Sequence, residues 1–114
     1  MSREDELREN LRLVRERIQA ACQAAGRPEG SVTLVAITKT FPVGDIRALA
    51  ALGLREVGEN REQELKAKAP ECPDLVWHFV GQLQSNKARS VVRHAQVVHS
   101  VDRLSLVSAL SKCA

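Results

Sequence analysis

The sequence contains no tyrosine, one tryptophan and two phenylalanines. A core with so few rings must rest on Val, Leu, Ile and Ala, which is thin packing for 114 residues. Long apolar runs are missing too, and none approaches the roughly 18 residues that a membrane helix needs. The first ten residues, MSREDELREN, are charged from the third position and carry no apolar signal core. These absences point to a cytoplasmic chain with no membrane partner. Cysteine is sparse: Cys22, Cys72 and Cys113 are odd in number, far apart and form no CxxC pair. That pattern argues against a disulfide framework and against a zinc site, leaving reduced thiols and no metal. The net charge of +3 and the pI of about 9.0 are not gathered into a basic tail or an aromatic-laced stripe. Nucleic-acid binding therefore has no footprint here.

What is present is a strongly alternating pattern. Ser2 is placed to cap a helix, with Asp5 completing an approximate capping box. Leu7, Leu11, Val14, Ile18, Ala21 and Ala25 follow at three- and four-residue spacing, and Gly26 and Pro28 supply a stop. The spacing predicts a first helix over about 3–25. Residues 32–38 (VTLVAIT) are β-branched and nearly all apolar, as a strand buried on both faces would be. A helical pattern then runs through Ile46, Leu49, Ala50 and Leu52 to Gly53. Further strands are predicted over 54–58, 75–80 and 96–101. Helices are predicted after Asn60, over 85–94 and after Asp102, with Asn60 and Asp102 as side-chain caps.

One helix followed by four strand–helix units implies a parallel sheet with right-handed crossovers. A nucleotide-binding doubly wound sheet would carry a GxGxxG turn after its first strand. Here that turn is Thr38-Lys39-Thr40-Phe41-Pro42, without glycine. The fold class is therefore α/β, an N-terminal helix and four β/α units forming about half of a (β/α)8 TIM-type barrel. A complete barrel needs about 250 residues.

Ligands bind at the carboxyl ends of strands in such sheets, so the polar residues there are the candidates. Lys39 follows strand one on the face of Val35 and Ile37. Directed into an apolar interior, its amine would be desolvated toward the neutral form that attacks a carbonyl. A lysine that snorkels into solvent is the competing reading. His78 lies between Trp77 and Phe79, and alternation turns it away from both rings. It is either a core histidine bonded to backbone or a ligand contact. Asn60 reads as a helix cap that could also face a ligand, and Glu59 as a solvated charge. The cluster Gln84-Ser85-Asn86-Lys87 opens a helix, where exposed N–H groups attract anions.

Four segments together carry a resemblance: VAITKTFP (35–42), VGENREQE (57–64), WHFVGQLQSNK (77–87) and VVHSVDR (97–103). In order and spacing they resemble the YggS/PROSC family of pyridoxal phosphate homeostasis proteins, which is related to the N-terminal domain of alanine racemase. The resemblance implies a single (β/α)8 barrel that carries pyridoxal 5′-phosphate as a Schiff base on the lysine of an SKT-like motif. That motif here reads Thr38-Lys39-Thr40, with threonine for the usual serine. Matching positions place Asn60 and His78 near the cofactor.

The implied function is a carrier or regulator of the cofactor that supports amino-acid and keto-acid balance without turnover. The implied partners are the cofactor and the apoenzymes that use it. A racemase-like enzyme is the alternative, but related racemases take their second proton donor from a tyrosine of a separate domain. This chain has no tyrosine. The family runs to about twice this length, and its later phosphate-holding segments have no counterpart here. Residues 1–114 thus read as a partial, truncated pyridoxal phosphate-binding barrel domain, with β/α units over about 32–114. An inactive scaffold is the third reading. Unpaired sheet edges and exposed Val and Ile predict low stability or self-association.

Overall fold

The computed structural model describes residues 2–114. Helix α1 (Arg3–Ala24) begins at the anticipated capping box: Ser2 Oγ accepts from the Asp5 N–H, and the Asp5 carboxylate accepts from the Ser2 N–H. It ends in a Schellman motif, with Gly26 at φ 69° and the Arg27 and Gly26 amides donating to Cys22 and Gln23 carbonyls. Leu7, Leu11, Ile18 and Cys22 are its sheltered residues, whereas Val14, Ala21 and Ala25 of the expected stripe are exposed.

Four short strands follow: β1 (Ala36–Ile37), β2 (Glu56–Glu59), β3 (Val76–Phe79) and β4 (Val97–Val98). They form one parallel sheet in the order β1-β2-β3-β4, with Gly58 beside both Ile37 and His78, and Phe79 beside Val98. Between and after them run α2 (Val43–Ala51), α3 (Glu62–Lys68), α4 (Ala88–His94) and α5 (Leu104–Cys113). Alternation divides the strands cleanly. Val57, Trp77 and Phe79 face the helices. There they meet Ile46 of α2, Leu65 of α3, Val91 of α4 and Leu106 of α5, each fully buried. Truncating any of these four to alanine would cost about 2–5 kcal/mol. The other face carries Val35, Ile37, Glu56, Gly58, His78, Val80 and His99. It is open at both sides, where Ile37 is 44% and Val97 37% exposed.

Several local expectations are corrected. The first and fourth strands are two residues long, because β1 and β4 each have a single neighbour to pair with. Residues 85–94 divide into a 3-10 turn, Ser85–Lys87, and the α-helix that follows it. Neither Asn60 nor Asp102 is a side-chain cap: α3 and α5 start one residue later than those caps require, after Arg61 and Arg103. The Asp102 carboxylate accepts from the Arg103 guanidinium instead. All three cysteines are free thiols, as expected. Among the described residues no helix is long and apolar enough to cross a membrane.

Candidate functional site

The carboxyl ends of β1, β2 and β3 bring the candidate residues to one rim. Lys39 does not sit within an apolar interior, as the sequence suggested. It lies in the turn just past β1 and is exposed, because the strand stops at Ile37. The turn is closed by the Phe41 amide donating to the Thr38 carbonyl at 3.1 Å. Thr40, its third residue, adopts φ 66°, a conformation normally left to glycine in turns of this kind. For an L residue it costs about 1–2 kcal/mol.

That cost is met by a buried network which the sequence reading missed. Thr38 turns its hydroxyl to the helix-covered face, where it donates to Glu59 Oε2. Glu59 is completely buried, not a solvated charge, since it shares the parity of Val57 rather than of Gly58. Lys68, 8% exposed on α3, spends its three ammonium protons at 2.9 Å on the Thr38 carbonyl and at 3.1 Å on Glu59 Oε2 and Glu64 Oε1. Glu64 Oε1 in turn accepts the Thr40 N–H at 2.8 Å. That backbone hydrogen bond, reinforced by Lys68, holds the Glu64 carboxyl below its usual range. Both neighbours of Lys39 are therefore fastened to the same pair of α3 side chains. Two signals for this were present in the sequence: the parity of Glu59 with Val57, and the i,i+4 spacing of Glu64 and Lys68.

His78 turns away from Trp77 and Phe79 as predicted, and is buried. Its partners are side chains, not backbone: Nε2 lies 2.8 Å from Glu56 Oε1, and Nδ1 lies 2.8 Å from His99 Nε2. A carboxylate can only accept, so His78 Nε2 donates to Glu56, while His78 Nδ1 and His99 Nε2 share a single hydrogen bond. This chain Glu56–His78–His99 runs across the open face from β2 to the end of β4. Asn60 lies just past β2, and its Oδ1 is buried with no hydrogen-bond partner among the described residues. It borders an open cleft of about 450 Å³ with Phe79, Gln84 and Lys87. Lys39 and His78 do not border that cleft. The three predicted site residues thus lie at or near the carboxyl ends of three neighbouring strands without sharing that cleft. Gly81 closes the rim: a Cβ there would lie 2.2 Å from the Asn60 carbonyl oxygen.

The strand ends thus offer an exposed primary amine at Lys39 and, at Asn60, a buried amide oxygen without a partner among the described residues. No group of three or more His, Cys, Asp or Glu side chains that could hold a metal ion occurs among the described residues.

No family model matches the chain. Curated relatives do. It is 46% identical to the pyridoxal phosphate homeostasis protein of Mycobacterium leprae, over 96% of this chain and 47% of that protein. It is 51% identical to the one of Corynebacterium glutamicum, over 84% and 43%. For that of Escherichia coli the identity is 38%, over 94% and 48%. Among solved structures, PipY of Synechococcus elongatus with PLP bound is similar at TM-score 0.71 and 42% identity, over 88% of this chain and 47% of that one. An unknown protein from Bifidobacterium adolescentis is similar at TM-score 0.88 and 36% identity, over 96% and 50%. The chain spans about half the length of the curated relatives it matches. In sequence, and in the parallel α/β fold that its PLP-bound structural relative shares, it belongs to the family of pyridoxal phosphate homeostasis proteins and corresponds to their N-terminal half.

Proposed function

We propose that this chain binds pyridoxal 5′-phosphate through a Schiff base on Lys39 and serves cofactor homeostasis as a carrier without turnover. The cofactor supplies an aldehyde; when it is bound, the Lys39 amine adds to that carbon and a water molecule leaves as the C=N bond forms. Lys39 provides the nitrogen. Asn60 would offer its unpartnered Oδ1 as an acceptor, and His78, held by Glu56 and His99, would present its ring on the open face of the sheet. One observation carries the reading: the exposed Lys39 sits on a braced turn at the carboxyl end of β1, in a chain that is 42% identical to the PLP-bound PipY over 88% of its length.

In this reading residues 1–114 form one partial domain, and the four-stranded sheet is an arc of a (β/α)8 barrel. Its parallel order without reversal and its one helix-covered face support that arc. The recipients of the cofactor would be apoenzymes that use it. The exposed Ile37 and Val97 on the open face, with unpaired edges at β1 and β4, favour association with a second copy of the chain. Size-exclusion chromatography with light scattering decides that part, and a stable monomer at high concentration would exclude it.

The binding claim is tested by titrating the chain with pyridoxal phosphate and following the absorbance change of Schiff-base formation. A saturable change in the wild type, lost in Lys39→Ala, is expected. An equal change in Lys39→Ala would overturn the assignment.

A further inference from the structure

The turn that carries Lys39 is held from both sides by α3. The Thr38 carbonyl, on the residue before Lys39, accepts from Lys68 Nζ at 2.9 Å. The Thr40 amide, on the residue after it, donates to Glu64 Oε1 at 2.8 Å. Lys68 and Glu64 are themselves joined at 3.1 Å, so the two ties form one closed brace around the lysine backbone. Glu59 anchors the brace from within, accepting from both Thr38 Oγ1 and Lys68 Nζ while completely buried. A structural ion pair would need none of this geometry: Lys68 could satisfy Glu59 without touching the turn, and Thr40 could relax to negative φ.

We infer that Lys68, Glu64 and Glu59 are positioning residues which fix the turn so that the Lys39 amine is presented in one direction at the rim. The inference rests on the assignment of Lys39 as the cofactor lysine and adds what makes it selective over the chain's other lysines. The general reason is entropic: a nucleophile on a fixed backbone need not be ordered when it meets its carbonyl. A lysine on a loose turn would react as any surface amine does.

Glu64 is the residue to change, because it is partly exposed and its loss leaves the Glu59–Lys68 pair in place. In the cofactor-free chain, Glu64→Ala should speed hydrogen exchange of the Thr40 amide by about tenfold or more, the worth of a hydrogen bond to a charged acceptor. The amides of Trp77 and His78 in β3 should exchange as in the wild type. On treatment with pyridoxal phosphate and borohydride, the share of label on Lys39 relative to other lysines should fall several-fold. Glu64→Gln keeps a carbonyl oxygen for Thr40 and should restore both readouts. If Glu64→Ala leaves Thr40 exchange and the Lys39 share unchanged, the brace does no positioning. If exchange rises equally throughout the chain, or Gln fails to rescue, the role of Glu64 is structural only and the inference is wrong. Failure of the underlying assignment looks different: Lys39 would then carry no preferential label in the wild type either.

Discussion

Replacing Lys68 by methionine offers a severe test of the buried network. The methionine keeps most of the aliphatic stem, so packing against α3 and β2 changes little. What disappears is the ammonium and its three hydrogen bonds, two to carboxylates and one to the Thr38 carbonyl. Glu59, with 0% exposure, is left as a charge with only the Thr38 hydroxyl for company. Stranding one member of a buried pair costs about 3–5 kcal/mol. The exposed pairs on α1, such as Arg12 with Glu9 and Glu16, are screened by solvent and should contribute far less by the same kind of measurement.

Unfolding in urea can be followed through Trp77, the chain's single tryptophan, which is 1% exposed and donates its indole N–H to the Cys72 carbonyl. With a slope of about 1.5 kcal/mol/M, typical of small domains, the midpoint should fall by about 2–3 M. The double variant Glu59→Gln/Lys68→Met removes both charges and should recover at least half of that loss. A Lys68→Met midpoint within about 0.5 M of the wild type, or no recovery in the double variant, would refute the account of a charge pair buried under the Lys39 turn.

Other consequences follow from the same geometry. Because the Glu64 carboxyl titrates below its ordinary range when folded, its contribution to stability is present above the usual carboxylate value and is lost as pH falls through the lowered one. Urea midpoints measured between pH 7 and pH 3 should therefore fall less steeply in Glu64→Gln than in the wild type. Gly81→Ala would drive a methyl to 2.2 Å from the Asn60 carbonyl oxygen, a contact with rigid backbone, and should cost about 2 kcal/mol or more by thermal melting. Gly53, at φ 96° in the Schellman turn that ends α2, should cost about 1 kcal/mol on replacement by alanine, with no change in cofactor binding.

Much of the fold was legible because it is local. The Ser2–Asp5 box, the Gly26 stop and the strand–helix rhythm are each written within a few residues, and the parity of Trp77, His78 and Phe79 needs only one strand. Strand lengths were not legible, since β1 and β4 are cut short by having one neighbour rather than by their own composition. The site divides the same way. Lys39, Asn60 and His78 follow from strand ends and from motif resemblance. The partners of His78 depend on register across β2, β3 and β4, which no single segment encodes. Glu59 reads as a solvated charge because charged residues are rarely buried, and the same rarity hides its partner Lys68. Their pairing emerges only when α3 is laid on the helix-covered face.

The central claim is that Lys39, held by its brace, is the cofactor lysine. It is tested most directly by reducing the pyridoxal phosphate complex with borohydride and locating the adduct among the lysines by peptide mass spectrometry. Modification concentrated on Lys39 at low cofactor concentration, well ahead of the exposed Lys66, Lys87 and Lys112, is the expected result. Label spread evenly over these lysines, or concentrated on one of them, would contradict it.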